Sequence, residues 1–402
     1  MAEDQTGTTV TSALTPRLRA GPFVPPPLGL YVHLPWCLRK CPYCDFNSHE
    51  RRDDSPAMDD YIDALIVDLE QSLPLIWGRS VSSVFFGGGT PSLFAPAQID
   101  RLLAAVRARV RLGADVEVTL EANPGTFEAE RFKAYRDAGV NRLSIGVQSF
   151  DDSALSRLGR VHDAAQAEAA IAEAARCFDR YNLDLMFALP GQDMAALQRD
   201  LDRIRAWRPP HWSCYQLTIE PNTLFARFTP PNLPDDDLAA DMFEAVHACA
   251  ADIGLQRYEV SAFAAPGQRC RHNLNYWRFG DYLGLGAGAH GKLSFHDKVV
   301  RHSRWRHPRR YLEAVARGTA VEHERVLGPA DMVFEFALNA FRLVDGVPTE
   351  LFEAHTGLSR AALGARLLRA AQDGLLDPDP SVLRPTAQGL RFLNDLTERF
   401  LP

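Results

Sequence analysis

Between residues 28 and 218, six short apolar runs alternate with stretches whose apolar residues recur at helical spacing. The strand-like runs fall at 28–33, 81–86, 116–120, 143–147, 183–188 and 212–218. Helical stretches fall between them at 58–73, 96–110, 127–138, 164–177 and up to 207. Strands separated by helices need crossover connections, so the pattern predicts an α/β chain with a parallel sheet and helices outside it. Six units are two short of a closed eightfold barrel. An incomplete, laterally open (β/α)6 barrel is therefore expected, with a doubly wound open sheet as the alternative.

After about residue 220 the alternation loosens. Pro221, Pro230, Pro231 and Pro234 interrupt it before an amphipathic helix at 236–251, and a glycine-rich turn follows at 284–288. From 329 to 402 the order is helix, helix, a turn at 377–380, a short strand at 382–384 and a helix, which resembles a winged-helix-like α+β domain. That segment carries seven Arg against ten Asp and Glu. The whole chain is acidic too, with net charge −7 and its basic residues interspersed among acids, so nucleic acid is not an expected partner. No apolar run reaches the ~18 residues of a membrane span. The expected organisation is a flexible leader at 1–27, a core barrel at 28–220, a barrel extension at 221–328 and the winged-helix-like domain at 329–402. Glu3 and Asp4 and the lack of an apolar core make the leader unlike a secretory signal, and the expected location is cytoplasmic.

The seven cysteines agree with that compartment. Seven is odd, and a chain of 402 residues can be stable without disulfides, so reduced thiols are expected. Cys177, Cys214, Cys249 and Cys270 are scattered, whereas Cys37, Cys41 and Cys44 crowd into eight residues just past the first strand. Parallel α/β folds place their chemistry on loops in that position. Three thiolates on one loop can hold three corners of a 4Fe-4S cubane and leave one iron open to a non-protein ligand. The competing assignment is structural zinc, with His33 or His49 as the fourth ligand.

Cys37-Leu38-Arg39-Lys40-Cys41-Pro42-Tyr43-Cys44 resembles the C-x-x-x-C-x-x-C signature of radical S-adenosylmethionine (SAM) enzymes. The resemblance implies that Cys37, Cys41 and Cys44 ligate a 4Fe-4S cluster whose open iron is chelated by S-adenosyl-L-methionine. Residues 31–37 and Cys44-Asp45-Phe46 are similar to the oxygen-independent coproporphyrinogen III oxidase branch, and within it to HemW-like heme chaperones. Gly87-Gly88-Gly89-Thr90-Pro91 follows the second strand, where backbone without side chains can approach a ligand closely and donate N–H groups. By resemblance, Tyr31, Tyr43, Gly88, Gly89, Thr90 and Glu121 position SAM. Gln148, Arg160, Asp184 and Gln216 match places around the cofactor pocket that serve a second SAM in the oxidase branch.

Two departures count against coproporphyrinogen oxidation. The decarboxylating oxidases carry a further cysteine two residues after the third, where this chain has Phe46, and a longer segment ahead of the cluster than the 36 residues here. His272-Asn273-Leu274-Asn275-Tyr276-Trp277 instead matches the H-N-x-x-Y-W motif of the chaperone branch. Imidazole is a common axial ligand of heme iron, and the resemblance makes His272 the expected ligand. Cys270 is a candidate second ligand or a buried structural thiol, and the segment 284–290 matches a part of the family that lines the cofactor pocket. The implied function is a chaperone that binds heme, a 4Fe-4S cluster and SAM. It would hand heme to an apo-hemoprotein of a respiratory chain or of heme storage, and meet a membrane only transiently through that partner. Oxygen-independent coproporphyrinogen III oxidation is the alternative.

Overall fold

The computed structural model describes residues 24–125 and 129–402, so the expected leader lies outside the described residues up to residue 23. All six expected strands form: β1 (Leu28–Leu34), β2 (Ser80–Gly88), β3 (Arg111–Ala122), β4 (Arg142–Gln148), β5 (Tyr181–Phe187) and β6 (His211–Gln216). They pair in sequence order and all in parallel. Helices α1 (Met58–Ser72), α2 (Pro96–Arg109), α3 (Phe132–Ala138), α4 (Ala164–Cys177) and α5 (Met194–Trp207) supply the crossovers. The start expected for α3, at 127, lies outside the described residues.

Local sequence explains where several helices begin. Asp163 caps α4 by accepting from Gln166 N–H at 2.8 Å, while the Gln166 side chain accepts from Asp163 N–H at 3.1 Å. Asp193 caps α5, and Asp235 caps α6 (Asp236–Asp252), each accepting a backbone N–H three residues on. The outward faces of the strands bury Leu30, Val84, Leu120, Ile145 and Leu183 against apolar stripes such as Leu65, Leu102 and Ile171 of the helices. The opposite faces are polar, with Glu117, Arg142, Asn182 and His211 buried among them.

The loosened pattern beyond residue 220 supplies the edges of the sheet. At one edge, β7 (Gln256–Arg257) pairs antiparallel with β8 (Ala262–Ala264), which pairs antiparallel with β6. At the other, β9 (Asp281–Leu285) joins β1 in parallel, followed by the antiparallel strands β10 (His290–Ser294), β11 (Val299–Arg304) and β12 (Val321–Val326). The twelve strands run β12-β11-β10-β9-β1-β2-β3-β4-β5-β6-β8-β7, and the barrel stays open between its ends. Residues 284 and 285, expected within a turn, belong to β9; the turn itself holds Gly286 and Gly288 at positive φ.

Helix α7 (Arg271–Trp277) closes the end of the barrel opposite the cysteine loop. Its N–H groups at Arg271 and His272 donate to the Glu117 carboxylate at 3.2 and 3.1 Å, a negative charge at a helix N-terminus. Helix α8 (Pro308–Ala316) precedes β12. The C-terminal winged-helix-like domain contains α9 (Pro329–Ala340), α10 (Glu350–Thr356) and α11 (Gly364–Gln372), with β13 (Val347–Pro348) paired antiparallel to β14 (Val382–Leu383). Its core, built on Phe336, Phe352, Leu383 and Phe400, takes in Leu274 and Trp277 of α7. Among the described residues no helix is long and apolar enough to cross a membrane.

Candidate functional site

The cysteine loop leaves β1; backbone pairing of Trp36 and Cys37 with His49 and Glu50 closes its base, and Thr90 N–H, donating to the Trp36 carbonyl at 2.7 Å, ties it to the barrel mouth. Cys37, Cys41 and Cys44 are partly exposed, and all three line a cavity of about 420 Å³ at the C-terminal ends of the strands. That size falls within the ~300–1,000 Å³ typical of small-molecule sites. Tyr43, Gly88, Gly89, Thr90, Glu121, Gln148, Arg160, Asp184 and Gln216 line the same cavity. Residues from five strand ends meet there because the sheet curls around it.

Each thiol has a polar neighbour. Thr90 Oγ1 donates to Cys37 Sγ at 3.6 Å, Arg160 Nη1 donates to Cys41 Sγ at 3.7 Å, and Ser48 Oγ lies 3.8 Å from Cys44 Sγ. Burial pushes the Cys37 and Cys44 thiols up, so an electron-withdrawing metal centre is what would favour their thiolate forms. Asn123, absent from the sequence expectations, ties the set together. Its Nδ2 donates to Thr90 Oγ1 at 3.0 Å and its Oδ1 accepts from Arg160 Nη2 at 2.6 Å. The Arg160 Nε is buried with no hydrogen-bond partner among the described residues, a donor left over for a ligand.

These donors suit a cubane better than zinc. His33 is 5% exposed and uses both ring nitrogens, donating to the Asn47 carbonyl at 2.9 Å and accepting from Tyr31 Oη at 3.0 Å. His49 turns into a different cavity, 5.8 Å between ring centroids from His307. Among the described residues no three Cys, His, Asp or Glu side chains converge on a single ion. A cubane asks each thiolate to reach a separate iron and fits a looser triangle.

The glycine run is required by close approach. At Gly88, φ is +113° and an added Cβ would lie 2.4 Å from the His33 ring; at Gly89 it would lie 2.6 Å from the Trp36 carbonyl. The expectation that these residues offer free N–H groups is corrected by their geometry. Gly88 N–H donates to Glu121 Oε2 at 3.2 Å, and Gly89 N–H donates to the Leu34 carbonyl at 2.8 Å.

Gln148 sits at positive φ (68°), where the β4–β5 register shifts, and accepts from Tyr215 Oη at 3.0 Å. Asp184 accepts from Ser144 Oγ at 3.0 Å and from Asn182 Nδ2 at 2.8 Å. The chain of polar groups continues through Asn182 Oδ1, His211 and Tyr258 Oη. Ser144, Asn182, His211 and Tyr215 were missed in the sequence, although strict alternation along β4, β5 and β6 places them on the same inward faces as Gln148 and Asp184.

Desolvation and the nearby Asp184 push Glu121 up to about 8, against ~4.3 for an unperturbed Glu. Between those values the folded chain holds a proton that the unfolded chain has released. Stability contributed by this group therefore falls as pH rises from about 4 through about 8. Glu121→Gln cannot ionise, so the loss of thermal stability between pH 5 and pH 8 in the cluster-free protein is expected to shrink. An unchanged pH slope would show that Glu121 is ionised throughout.

Tyr31 and His272 lie outside the cluster cavity. Tyr31 stands behind Glu121, and His272 faces an adjoining cavity of about 220 Å³ inside the barrel. His272 is 1% exposed and stacks on Phe85 at 4.9 Å; its Nδ1 is hydrogen-bonded with Ser83 Oγ at 2.9 Å and its Nε2 with Tyr276 Oη at 3.0 Å. Cys270 is fully buried with its Sγ 3.6 Å from Glu117 Oε1, and burial pushes its thiol up to about 12.

The chain is similar to known proteins over most of its length. The radical SAM superfamily profile matches residues 31–204, and that of the HemN C-terminal domain matches 327–392. "Heme chaperone HemW" of Escherichia coli is 48% identical over 378 residues, covering 94% of this chain and 98% of that protein. The protein of the same description from Mycobacterium tuberculosis is 37% identical, covering 93% and 95%. Among solved structures, the coproporphyrinogen III oxidase HemN of Escherichia coli, described as a radical SAM enzyme, superposes with a TM-score of 0.79 at 26% identity over 94% of this chain and 90% of that one.

Proposed function

The chain belongs to the family of HemW heme chaperones within the radical SAM superfamily, and from that premise we propose that it binds heme beside a 4Fe-4S cluster and SAM and passes heme to an acceptor hemoprotein. The observation that carries this reading is the convergence of three thiols with Gly88, Gly89, Thr90, Glu121 and Arg160 on one cavity. Cys37, Cys41 and Cys44 would hold the cluster, and Thr90, Glu121, Gln148, Arg160, Asp184 and Gln216 would surround SAM. When bound and reduced, the cluster supplies an electron to SAM; the chain's own residues orient the cofactor and limit water around it. Heme titration of the full chain tests the reading, with saturation expected at about one heme per chain.

The oxidase alternative draws on the structural likeness to HemN. Against it stands Phe46, 59% exposed at the cavity rim, where the oxidase pattern places a thiol.

A further inference from the structure

A second cavity, of about 370 Å³, opens beside the cluster cavity and shares Asp45, Phe46, Gly88 and Glu121 with it. Its walls are aromatic, with Tyr31, Phe46, Tyr276 and Tyr282, and His290 and Arg306 also line it. Tyr276 and Tyr282 meet edge to face at 4.5 Å, forming one rigid side. Flat aromatic walls with the imidazoles of His33 and His290 and one guanidinium suit a planar apolar ring that carries a metal and an acidic substituent.

The two histidines of this cavity differ in what they can offer. His33 has both ring nitrogens engaged and is buried. His290, the first residue of β10, is exposed, and among the described residues none hydrogen-bonds to its ring. Arg306 forms no ion pair among the described residues and is exposed at the rim, whereas Arg301 is paired with Glu335. His272, by contrast, stands behind the wall and reaches the cavity through Tyr276 Oη.

Resting on the heme-carrier reading above, we propose that heme occupies this second cavity with His290 as an axial ligand of its iron and Arg306 paired with a propionate. His272 is then a positioning residue that fixes Tyr276. The location serves a carrier: an exposed ligand at the end of a strand lets heme leave without unfolding the barrel, which release from the buried His272 would require.

The test is hemin titration of the full-length chain and of His290→Ala, Arg306→Gln and His272→Ala, followed by the absorption and electron paramagnetic resonance of the bound iron. His290→Ala is expected to lose the histidine-ligated signature, to bind heme at least ~10-fold more weakly, and to regain the signature with added imidazole. Arg306→Gln weakens binding and keeps the signature, and so does His272→Ala. Wild-type affinity and spectrum in His290→Ala, or loss of the signature in His272→Ala alone, would overturn the assignment while leaving the carrier reading intact. Absence of heme binding by the unaltered chain would overturn both.

Discussion

Cys41→Ala is expected to abolish the 4Fe-4S cluster while leaving the fold unchanged. The residue lies on the surface loop, and the hydrogen bond its thiol receives comes from Arg160 at 3.7 Å, so removing it leaves no cavity in the core. Two remaining thiolates cannot hold three corners of a cubane. After anaerobic reconstitution the variant should show background iron and sulfide and no cluster absorbance, with wild-type circular dichroism. Cys270→Ala should keep its cluster, because that thiol is buried beside Glu117 at the other end of the barrel. A cluster retained in Cys41→Ala would remove the three-cysteine assignment.

The second large effect belongs to the floor of the barrel. Glu117 is fully buried, accepts from Arg180 Nη2 at 2.7 Å and receives the first N–H groups of α7. Burial would raise its carboxyl, but Arg142, Arg180 and the backbone donors hold it below the usual carboxylate range. Arg142 is 3% exposed, and Glu117→Ala would remove both the Glu117 charge that acts on it and the ion pair of Glu117 with Arg180. Breaking one member of a buried charge group costs about 3–5 kcal/mol, and that loss is expected in denaturant unfolding of the cluster-free protein. Because α7 also packs Leu274 and Trp277 into the C-terminal core, the same variant should loosen protease protection of residues 329–402. A change below about 1 kcal/mol would mean that Arg142 finds other compensation.

The barrel was legible because its signal is local. Runs such as 28–33 and 81–86 are buried on both faces and flanked by helical periodicity, and the cysteine spacing is a local pattern as well. The parallel pairing of β9 with β1 joins residues about 250 positions apart, and no local pattern encodes such a contact. The polar interior was partly visible: alternation at Ser144, Gly146 and Gln148, or Asn182 and Asp184, marks one inward face, yet an isolated strand does not reveal whether that face meets water or a cavity. The motif at 272–277 is the sharpest instance. Residue identity alone makes His272 resemble a ligand, whereas its hydrogen bonds with Ser83, 189 residues away, and with Tyr276 appear only once the chain is folded.

The carrier reading is tested most directly by incubating the anaerobically reconstituted and reduced protein with SAM and coproporphyrinogen III, and separating the tetrapyrroles. The account predicts that coproporphyrinogen III is recovered unchanged while added heme stays bound to the chain. Accumulation of protoporphyrinogen IX would contradict it.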